Sequence, residues 1–268
     1  MLNVFQAAIL GLVQGLTEFL PISSSAHLVL LPWLFKFPDP GLAFDVLLHL
    51  ATGFALLLYF WKDLLQILKG FWQSIIERKL DTIEKKLGWL IIFASLPAAL
   101  LGYLYEDTIE RTFRDPQQIA LLLIVFSILL FFAERMGKKQ DPLKKLSWYQ
   151  ALFIGFAQAF ALMPGVSRAG ITMTAGLFCG LKREASARFS FLLATPLVLG
   201  TGLIKAKDLF LAPSGYDHSY LWVGFITALL AGILAIRFLL NYLPKHSFYI
   251  FVWYRLALGL ILLLLFLI

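Results

Sequence analysis

One stretch near the beginning of the chain interrupts an apolar run with polar residues and a proline. It reads Gln14-Gly-Leu-Thr-Glu18-Phe-Leu-Pro21-Ile-Ser23-Ser24-Ser25-Ala-His27. Proline removes a backbone donor and breaks a helix, so Pro21 leaves unpaired N–H and C=O groups beside it. Within apolar sequence, such a break is tolerated only where it is buried in protein or lines a water-filled cavity. The stretch therefore predicts a broken helix pair with a polar site at its tip.

The composition of the whole chain indicates what surrounds this break. Of its 268 residues, 60% are hydrophobic and only 15% are charged, whereas a soluble domain has about 45–50% apolar and about 25% charged residues. The excess leaves too little polar surface to cover a globule of this size, which excludes a soluble enzyme. Disorder is excluded as well, because disordered chains have low hydrophobicity. The chain is predicted to be an integral membrane protein in contact with membrane lipids.

Ten apolar segments are candidates for crossing or entering a bilayer. By residue number they are 2–20, 21–35, 42–61, 89–105, 116–133, 149–163, 164–181, 189–204, 220–240 and 248–268. Two pairs are joined only by a proline, Pro21 or Pro164, and are predicted to be helical hairpins that re-enter the membrane. The other six segments are predicted to span it. The fold class is an all-α polytopic membrane protein, with residues 1–268 forming a single integral membrane domain.

The net charge of +7 predicts the orientation of the chain. Loop 61–88 carries six Lys or Arg residues and loop 134–147 carries five. Two spans lie between these loops, so both are on the same side, which the positive-inside rule assigns to the cytoplasm. Loop 104–118 and both termini are then predicted to lie outside. Because the basic residues are not interleaved with a base-stacking surface, no nucleic-acid partner is expected.

The two halves of the chain, about 1–140 and 145–268, resemble each other. Gly11 and Gln14 recur 144 residues later as Gly155 and Gln158, and four further groups of matches keep offsets between 143 and 145. Each half holds five segments, and an odd number predicts that the second half is inverted in the membrane. The two hairpin tips would then meet near the midplane, with helix N-termini directed at a common anion site.

The second tip reads Pro164-Gly165-Val166-Ser167-Arg168-Ala169-Gly170. Arg168 is the only charged residue between Tyr149 and Leu181. A permanently charged guanidinium in such sequence needs an anion, which is either a bound phosphate or the Glu18 carboxylate in a purely structural ion pair. Glycines that permit close backbone approach, with several N–H donors nearby, favour phosphate.

Together, the two tips predict a phosphate site with a nucleophile and a base. Ser24 is the preferred nucleophile and His27 the acid/base, or the two exchange roles. Arg168 would stabilise the transferred phosphoryl group, and Glu18 completes the catalytic set. The remaining substrate-binding residues are Ser23, Ser25, Gly165 and Ser167. The alternatives are that the serines only cap a helix and that His27 is an ordinary core histidine.

Gln14 and Glu18 are four residues apart and therefore share one helix face. Their oxygen atoms are hard ligands, so they predict a divalent cation, Mg²⁺ or Ca²⁺, that bridges a diphosphate. Asp45 and His49 have the same spacing, and either line the substrate entrance or pair with each other. Arg255, eight residues into the last segment, is expected to extend its charged end to the membrane interface.

Both tip motifs, Gln14–His27 and Pro164–Gly170, closely resemble the signature motifs of the bacterial undecaprenyl-diphosphate phosphatase family, which confers bacitracin resistance. The segments Phe44–His49 and Phe189–Ala194 look like its flanking segments. The resemblance implies a bacterial inner-membrane enzyme that releases the terminal phosphate of the C55 carrier diphosphate and regenerates the monophosphate for cell-wall synthesis. It also implies that the site opens to the periplasm. The family pattern is Glu/Gln-x-x-x-Glu, and this chain has the Gln form.

Two other functions use the same architecture. Inverted repeats with broken helices at the midplane are typical of secondary transporters, which would move an anionic substrate without hydrolysing it. A lipid flippase joined to the phosphatase would follow from the same symmetry. The sequence leaves both open, as it leaves open whether the chain forms a homodimer.

Overall fold

In the computed structural model, residues 2–38, 41–113, 115–210 and 219–265 are described, without the side chains of 42, 106, 107, 110, 111 and 205–210. This part of the chain is helical and has no strand. Its α-helices are α1 (Val4–Phe19), α2 (Ser24–Phe35), α3 (Gly41–Tyr59), α4 (Trp61–Glu77), α5 (Ile83–Phe113), α6 (Pro116–Met136), α7 (Trp148–Ala159), α8 (Arg168–Phe178), α9 (Arg183–Phe210), α10 (Ser219–Tyr242) and α11 (Tyr249–Leu265). Two 3₁₀ turns cover Leu143–Lys145 and Phe160–Leu162.

The helices confirm an all-α polytopic membrane protein. Four described helical stretches are long and apolar enough to cross a bilayer: Ile83–Tyr105, Pro116–Met136, Arg183–Ile204 and Ser219–Tyr242. They coincide with four of the six predicted spans. The predicted span 42–61 becomes α3, which joins α4 at a bend of 77° and gives at most a fifth span. The predicted span 248–268 becomes α11, which has 17 described residues.

The predicted boundaries are wrong where polar helices continue beyond the apolar sequence. Residues 61–88 are predicted as a polar loop between two apolar segments, but most of this loop is α4. Leu64, Ile67 and Leu68 have helical spacing, and α4 packs along α5, so tertiary contact stabilises a helix in this polar segment. For the same reason α5 starts at Ile83 and extends to Phe113 through most of the predicted outer loop.

Small residues permit a close helix contact between α1 and α10. A Cβ atom added to Gly15 would lie 2.6 Å from the Ala231 Cβ atom and 2.8 Å from the Gly232 nitrogen. Gly11 faces the backbone of Gly224 in the same way. In lipid, helix association relies on close van der Waals contact rather than on the hydrophobic effect, and small residues make that contact possible.

We predict that Gly15→Ala lowers the thermal stability of the detergent-solubilised protein, because the added methyl group overlaps α10. The expected cost is about 1–3 kcal/mol, the usual range for overpacking. The control is Gly200→Ala, the same change at a helical position where an added Cβ atom meets nothing within 4 Å. Equal melting temperatures for both variants and the wild type would contradict this account of the α1–α10 contact.

Candidate active site

Both predicted helix breaks are present, and their local structures match. The first helix ends at Phe19 and α2 begins at Ser24, while the second break separates the 3₁₀ turn Phe160–Leu162 from α8. Ser23 and Ser167 occupy the N-cap positions of α2 and α8, and their side chains accept backbone N–H bonds at 3.4 and 3.0 Å. Both serines have positive φ, 74° and 70°, a conformation that residues other than glycine rarely adopt. Each tip is thus a sharp, strained turn into a new helix.

The two breaks lie against each other, and Arg255 connects them. Gly165 donates its backbone N–H to the Ser23 hydroxyl at 3.2 Å. Arg255 is 0% exposed and donates to the carbonyl oxygens of Gly165 at 2.9 Å, Val166 at 3.0 Å and Pro21 at 3.4 Å. The expectation that Arg255 reaches the interface is therefore wrong. The carbonyl groups freed by the breaks are hydrogen-bond acceptors inside the protein, and they hold the guanidinium there.

Glu18 is the centre of the polar cluster beside these breaks, and it is only 7% exposed. Its Oε1 atom accepts a hydrogen bond from Arg168 Nη2 at 2.6 Å. Its Oε2 atom accepts from the Ser24 hydroxyl and, at 3.1 Å, from Gln14 Nε2. The His49 Nε2 atom lies 3.8 Å from the same oxygen. One carboxylate thus collects side chains from α1, α2, α3 and α8.

In this arrangement, Ser24 and Arg168 each keep a group that is able to react with or bind a phosphate. Because Ser24 donates its hydroxyl proton to Glu18, the lone pairs of its oxygen are available to attack an electrophile. The Glu18–Arg168 ion pair exists, yet it uses only Nη2 of the guanidinium. The Nη1 atom is buried without a hydrogen-bond partner among the described residues and can donate to a phosphate oxygen.

A cavity of about 590 Å³ opens at this cluster. Its polar lining includes five of the predicted site residues, namely Glu18, Ser24, Ser25, Ser167 and Arg168. The rest of the wall is largely apolar and comes mainly from α5, α9 and the turn after α7: Ala98, Ala99, Gly102, Ala161, Leu162, Pro196, Leu197, Val198 and Ile204. The cavity thus combines polar groups that are able to bind an anion with an apolar wall suited to hydrocarbon.

His27 does not line this cavity. Its Nδ1 atom lies 2.7 Å from the Ser23 carbonyl oxygen and its Nε2 atom 2.6 Å from the Tyr254 hydroxyl, with the two rings stacked. Since a carbonyl only accepts, Nδ1 carries the proton and Tyr254 donates to Nε2. The acid/base role of His27 stays a prediction.

The cavity is also lined by His49, one of whose two predicted roles was to line the substrate entrance, and by Gln158, which was not predicted from the sequence as a site residue. His49 hydrogen-bonds the Asp45 carbonyl oxygen through Nδ1 at 2.8 Å, and of its two proposed roles the structure favours lining the cavity. The internal repeat could have identified Gln158, because it corresponds to Gln14.

The oxygen atoms of Gln14 and Glu18 are compatible with a hard cation, although they do not complete its coordination shell. Gln14 Oε1 is buried and has no hydrogen-bond partner among the described residues. In the same part of the chain, no group of three or more His, Cys, Asp or Glu residues is arranged to hold a metal ion. One carboxylate and one amide oxygen suit an ion that takes its other ligands from a phosphorylated substrate or from water.

Comparison with known proteins gives one family and several full-length relatives. The sequence model of the family described as Bacitracin resistance protein BacA matches residues 7–261. An undecaprenyl-diphosphatase of Thermomicrobium roseum is 48% identical and aligns over 98% of each chain. One of Geotalea daltonii is 47% identical over 96% of each chain. One of an Arthrobacter species is 44% identical over 98% of this chain and 94% of its own.

We predict that Arg255→Met destabilises the protein, because the carbonyl groups at both breaks lose a buried charged donor. Hydrogen bonds to charged groups contribute about 1.5–3 kcal/mol each, so the melting temperature of Arg255→Met should be much lower than that of the wild type. The melting temperature of Arg255→Lys should lie between these two. The control is Arg237→Met, at an exposed position on α10. An Arg255→Met protein as stable as its control would show that the breaks do not depend on this residue.

Proposed function

The chain belongs to the bacitracin resistance protein BacA family, and from this we infer that it is a bacterial membrane undecaprenyl-diphosphatase. It hydrolyses undecaprenyl diphosphate to undecaprenyl phosphate and inorganic phosphate, which recycles the lipid carrier for cell-wall synthesis and confers bacitracin resistance. The observation that carries this conclusion is the contact of Ser24 and Arg168 with one buried carboxylate, Glu18. A multi-pass position in the inner membrane follows from the apolar helices. The relatives, named as diphosphatases, do not favour the transporter alternative.

The shape of the cavity supports a lipid diphosphate as substrate. Charged and hydroxyl side chains of the candidate site line part of the cavity, and much of the remaining wall is apolar. Pockets of 300–1,000 Å³ hold drug-sized ligands, so a cavity of about 590 Å³ accommodates the diphosphate and the first prenyl units. The rest of a C55 chain would lie among the membrane lipids beside α5 and α9.

In the proposed reaction, the Ser24 oxygen attacks the terminal phosphorus atom. The bond from that phosphorus to the bridging oxygen breaks, and undecaprenyl phosphate leaves with the bridging oxygen. Arg168 Nη1 stabilises the charge on the transferred phosphoryl group, helped by Ser167 and the Gly165–Ser167 backbone. Water then hydrolyses the phosphorylated serine and releases inorganic phosphate. Glu18 orients the guanidinium throughout, and it holds the Ser24 hydroxyl until that group turns its proton towards His27.

His27 is the proposed acid/base that receives the Ser24 proton and returns it. In the present geometry its Nε2 atom is bound to Tyr254, so this role requires the ring to exchange that contact when substrate binds. Catalytic hydrogen bonds often form only in the substrate complex. The reverse assignment, with His27 as nucleophile and Ser24 as its partner, makes a different covalent intermediate and is therefore distinguishable.

We also propose that Gln14 and Glu18 hold Mg²⁺ or Ca²⁺ together with the substrate diphosphate. The ion would neutralise part of the charge of the diphosphate, because its two phosphate groups must approach the Glu18 carboxylate. The support is the unpaired, buried Gln14 Oε1 atom and its position one helical turn before Glu18. With a single carboxylate, this chain should bind the ion weakly without substrate.

We also propose that the chain is an inverted repeat with halves of about 1–140 and 145–268 and two re-entrant hairpins, and helix pairing supports the repeat. Helix α1 of the first half packs on α10 of the second half. The counterpart of α1 is α7, and it packs on α5, which is the counterpart of α10. Both α1 and α7 begin with a capping box, Asn3 with Gln6 and Ser147 with Gln150. The homodimer and the absence of a nucleic-acid partner stay predictions.

For orientation, we propose that both termini and the mouth of the active site face the periplasm, since the basic loops favour the cytoplasm. Cysteines introduced singly at Thr108 and Lys79, in a chain lacking Cys179, test this. A membrane-impermeant thiol reagent added to intact cells should label Thr108→Cys alone, and labelling of Lys79→Cys alone would reverse the topology.

We predict that Ser24→Ala and Arg168→Ala each lower phosphate release from a polyprenyl diphosphate by at least about 10³-fold. The reason is the loss of the nucleophile in one variant and of the charge that stabilises the transition state in the other. Release of inorganic phosphate in detergent is the measurement. Ser95→Ala, which removes a hydroxyl bound within α5, should remain active.

Near-wild-type rates in both variants would overturn this site assignment. Trapping the phosphorylated enzyme separates the two nucleophile assignments. Phosphate on Ser24 supports the reaction described above, whereas phosphate on His27 would require the roles to be exchanged.

A chelator is predicted to abolish activity, and added Mg²⁺ or Ca²⁺ to restore it. Gln14→Glu supplies a second carboxylate and should lower the cation concentration needed for half-maximal activity, while Gln14→Met should raise it. The exposed Gln117→Glu change is the control. Full activity of the wild type in excess chelator would exclude the cation.

A further inference from the structure

Gln158 is a buried polar residue for which the proposed reaction has no use. It lies on α7, is 2% exposed, and lines the cavity. Neither its Nε2 nor its Oε1 atom has a hydrogen-bond partner among the described residues. Leaving a buried amide unsatisfied is costly, so a group that enters the cavity is its natural partner.

The internal repeat explains why this amide is free. In the first half, Gln14 donates its amide N–H to Glu18, four residues later. In the second half, the residue four positions after Gln158 is Leu162, which also lines the cavity. Since leucine accepts no hydrogen bond, the Gln158 amide keeps both its donor and its acceptor. The two halves thus contribute two glutamines to the same site. The amide N–H of Gln14 is already hydrogen-bonded within its helix, whereas the amide of Gln158 is available to a ligand.

The position of Gln158 indicates which part of a ligand it meets. Ala161 and Leu162, three and four residues after it, belong to the apolar wall. Helix α7 also packs on α5, which adds Ala98 and Ala99 to that wall. Arg168, Ser24 and Glu18 line the same cavity. Gln158 therefore shares the cavity with the charged residues and lies on the helix that leads into part of its apolar wall.

We propose that Gln158 Nε2 donates a hydrogen bond to the inner phosphate of the substrate, the one attached to the prenyl chain. This inference rests on the proposed function. A diphosphate oxygen only accepts hydrogen bonds, so the amide N–H is the complementary group, whereas a carboxylate at this position would repel it. The inner phosphate remains on the product, and Gln158 therefore binds both the lipid diphosphate and the lipid monophosphate but not free inorganic phosphate.

The test compares the wild type with Gln158→Met, which has a similar length and no hydrogen-bonding amide, and with Gln117→Met at an exposed site as control. Binding of farnesyl monophosphate to the detergent-solubilised protein is measured by isothermal titration calorimetry, which needs no turnover. Inhibition of phosphate release by inorganic phosphate is measured in parallel. The expected result is about tenfold weaker binding of farnesyl monophosphate to Gln158→Met, as for one lost hydrogen bond to a charged group. Inhibition by inorganic phosphate should not change.

Thermal unfolding distinguishes ligand binding from a structural role. Replacing an unsatisfied buried amide by an apolar side chain should maintain or raise the melting temperature of the ligand-free protein. A lowered melting temperature, or unchanged farnesyl monophosphate binding, would overturn the proposal. Equal weakening for farnesyl monophosphate and inorganic phosphate would also overturn it, since it places Gln158 at the terminal phosphate. If the wild type binds farnesyl monophosphate but releases no phosphate from farnesyl diphosphate, the proposed function fails, and the binding comparison still decides the role of Gln158.

Discussion

The structure depends on how backbone groups are satisfied where two helices break inside a membrane protein. Lipid offers no hydrogen bonds, so each carbonyl and N–H group freed at Pro21 and Pro164 must find a partner in the protein. Arg255 provides donors for carbonyl groups of both breaks, and the Ser23 hydroxyl accepts the N–H group of Gly165. The same contacts hold the two tips together. The requirement to satisfy the backbone therefore also assembles the site.

The second constraint is the cost of burying charge. Glu18 is stable at 7% exposure because Arg168, Ser24 and Gln14 all donate to it. Breaking a buried ion pair leaves an uncompensated charge, which is strongly unfavourable. Glu18 and Arg168 come from opposite halves of the chain, so their pairing also fixes the relative position of the halves. The proposed catalytic geometry and the stability of the fold thus depend on the same contacts.

The two similar halves of the sequence contribute different side chains to the proposed active site. The first residues of α2 and α8 are Ser24 and Arg168, which occupy equivalent positions 144 residues apart in the chain. One becomes the proposed nucleophile and the other the phosphate clamp. Similarly, Gln14 is followed at helical spacing by Glu18, whereas Gln158 is followed by Leu162. The fold places equivalent backbone positions around one cavity, and the side chains divide the roles.

How far the sequence could predict this protein depends on the range of each interaction. The length of the apolar segments, the helix-breaking prolines and the charges within apolar sequence are local features. They were sufficient to predict the membrane class, the two helix breaks, and Glu18, Ser24 and Arg168 as candidate site residues. Helix ends such as the start of α5 were not predictable from apolarity, because tertiary contacts extend helices into polar sequence. The contacts of Arg255 with Gly165, of His27 with Tyr254 and of His49 with Glu18 join residues far apart in the chain. Only the tertiary structure decided them, since a buried polar group takes whichever partner the packing of the helices brings within hydrogen-bond distance.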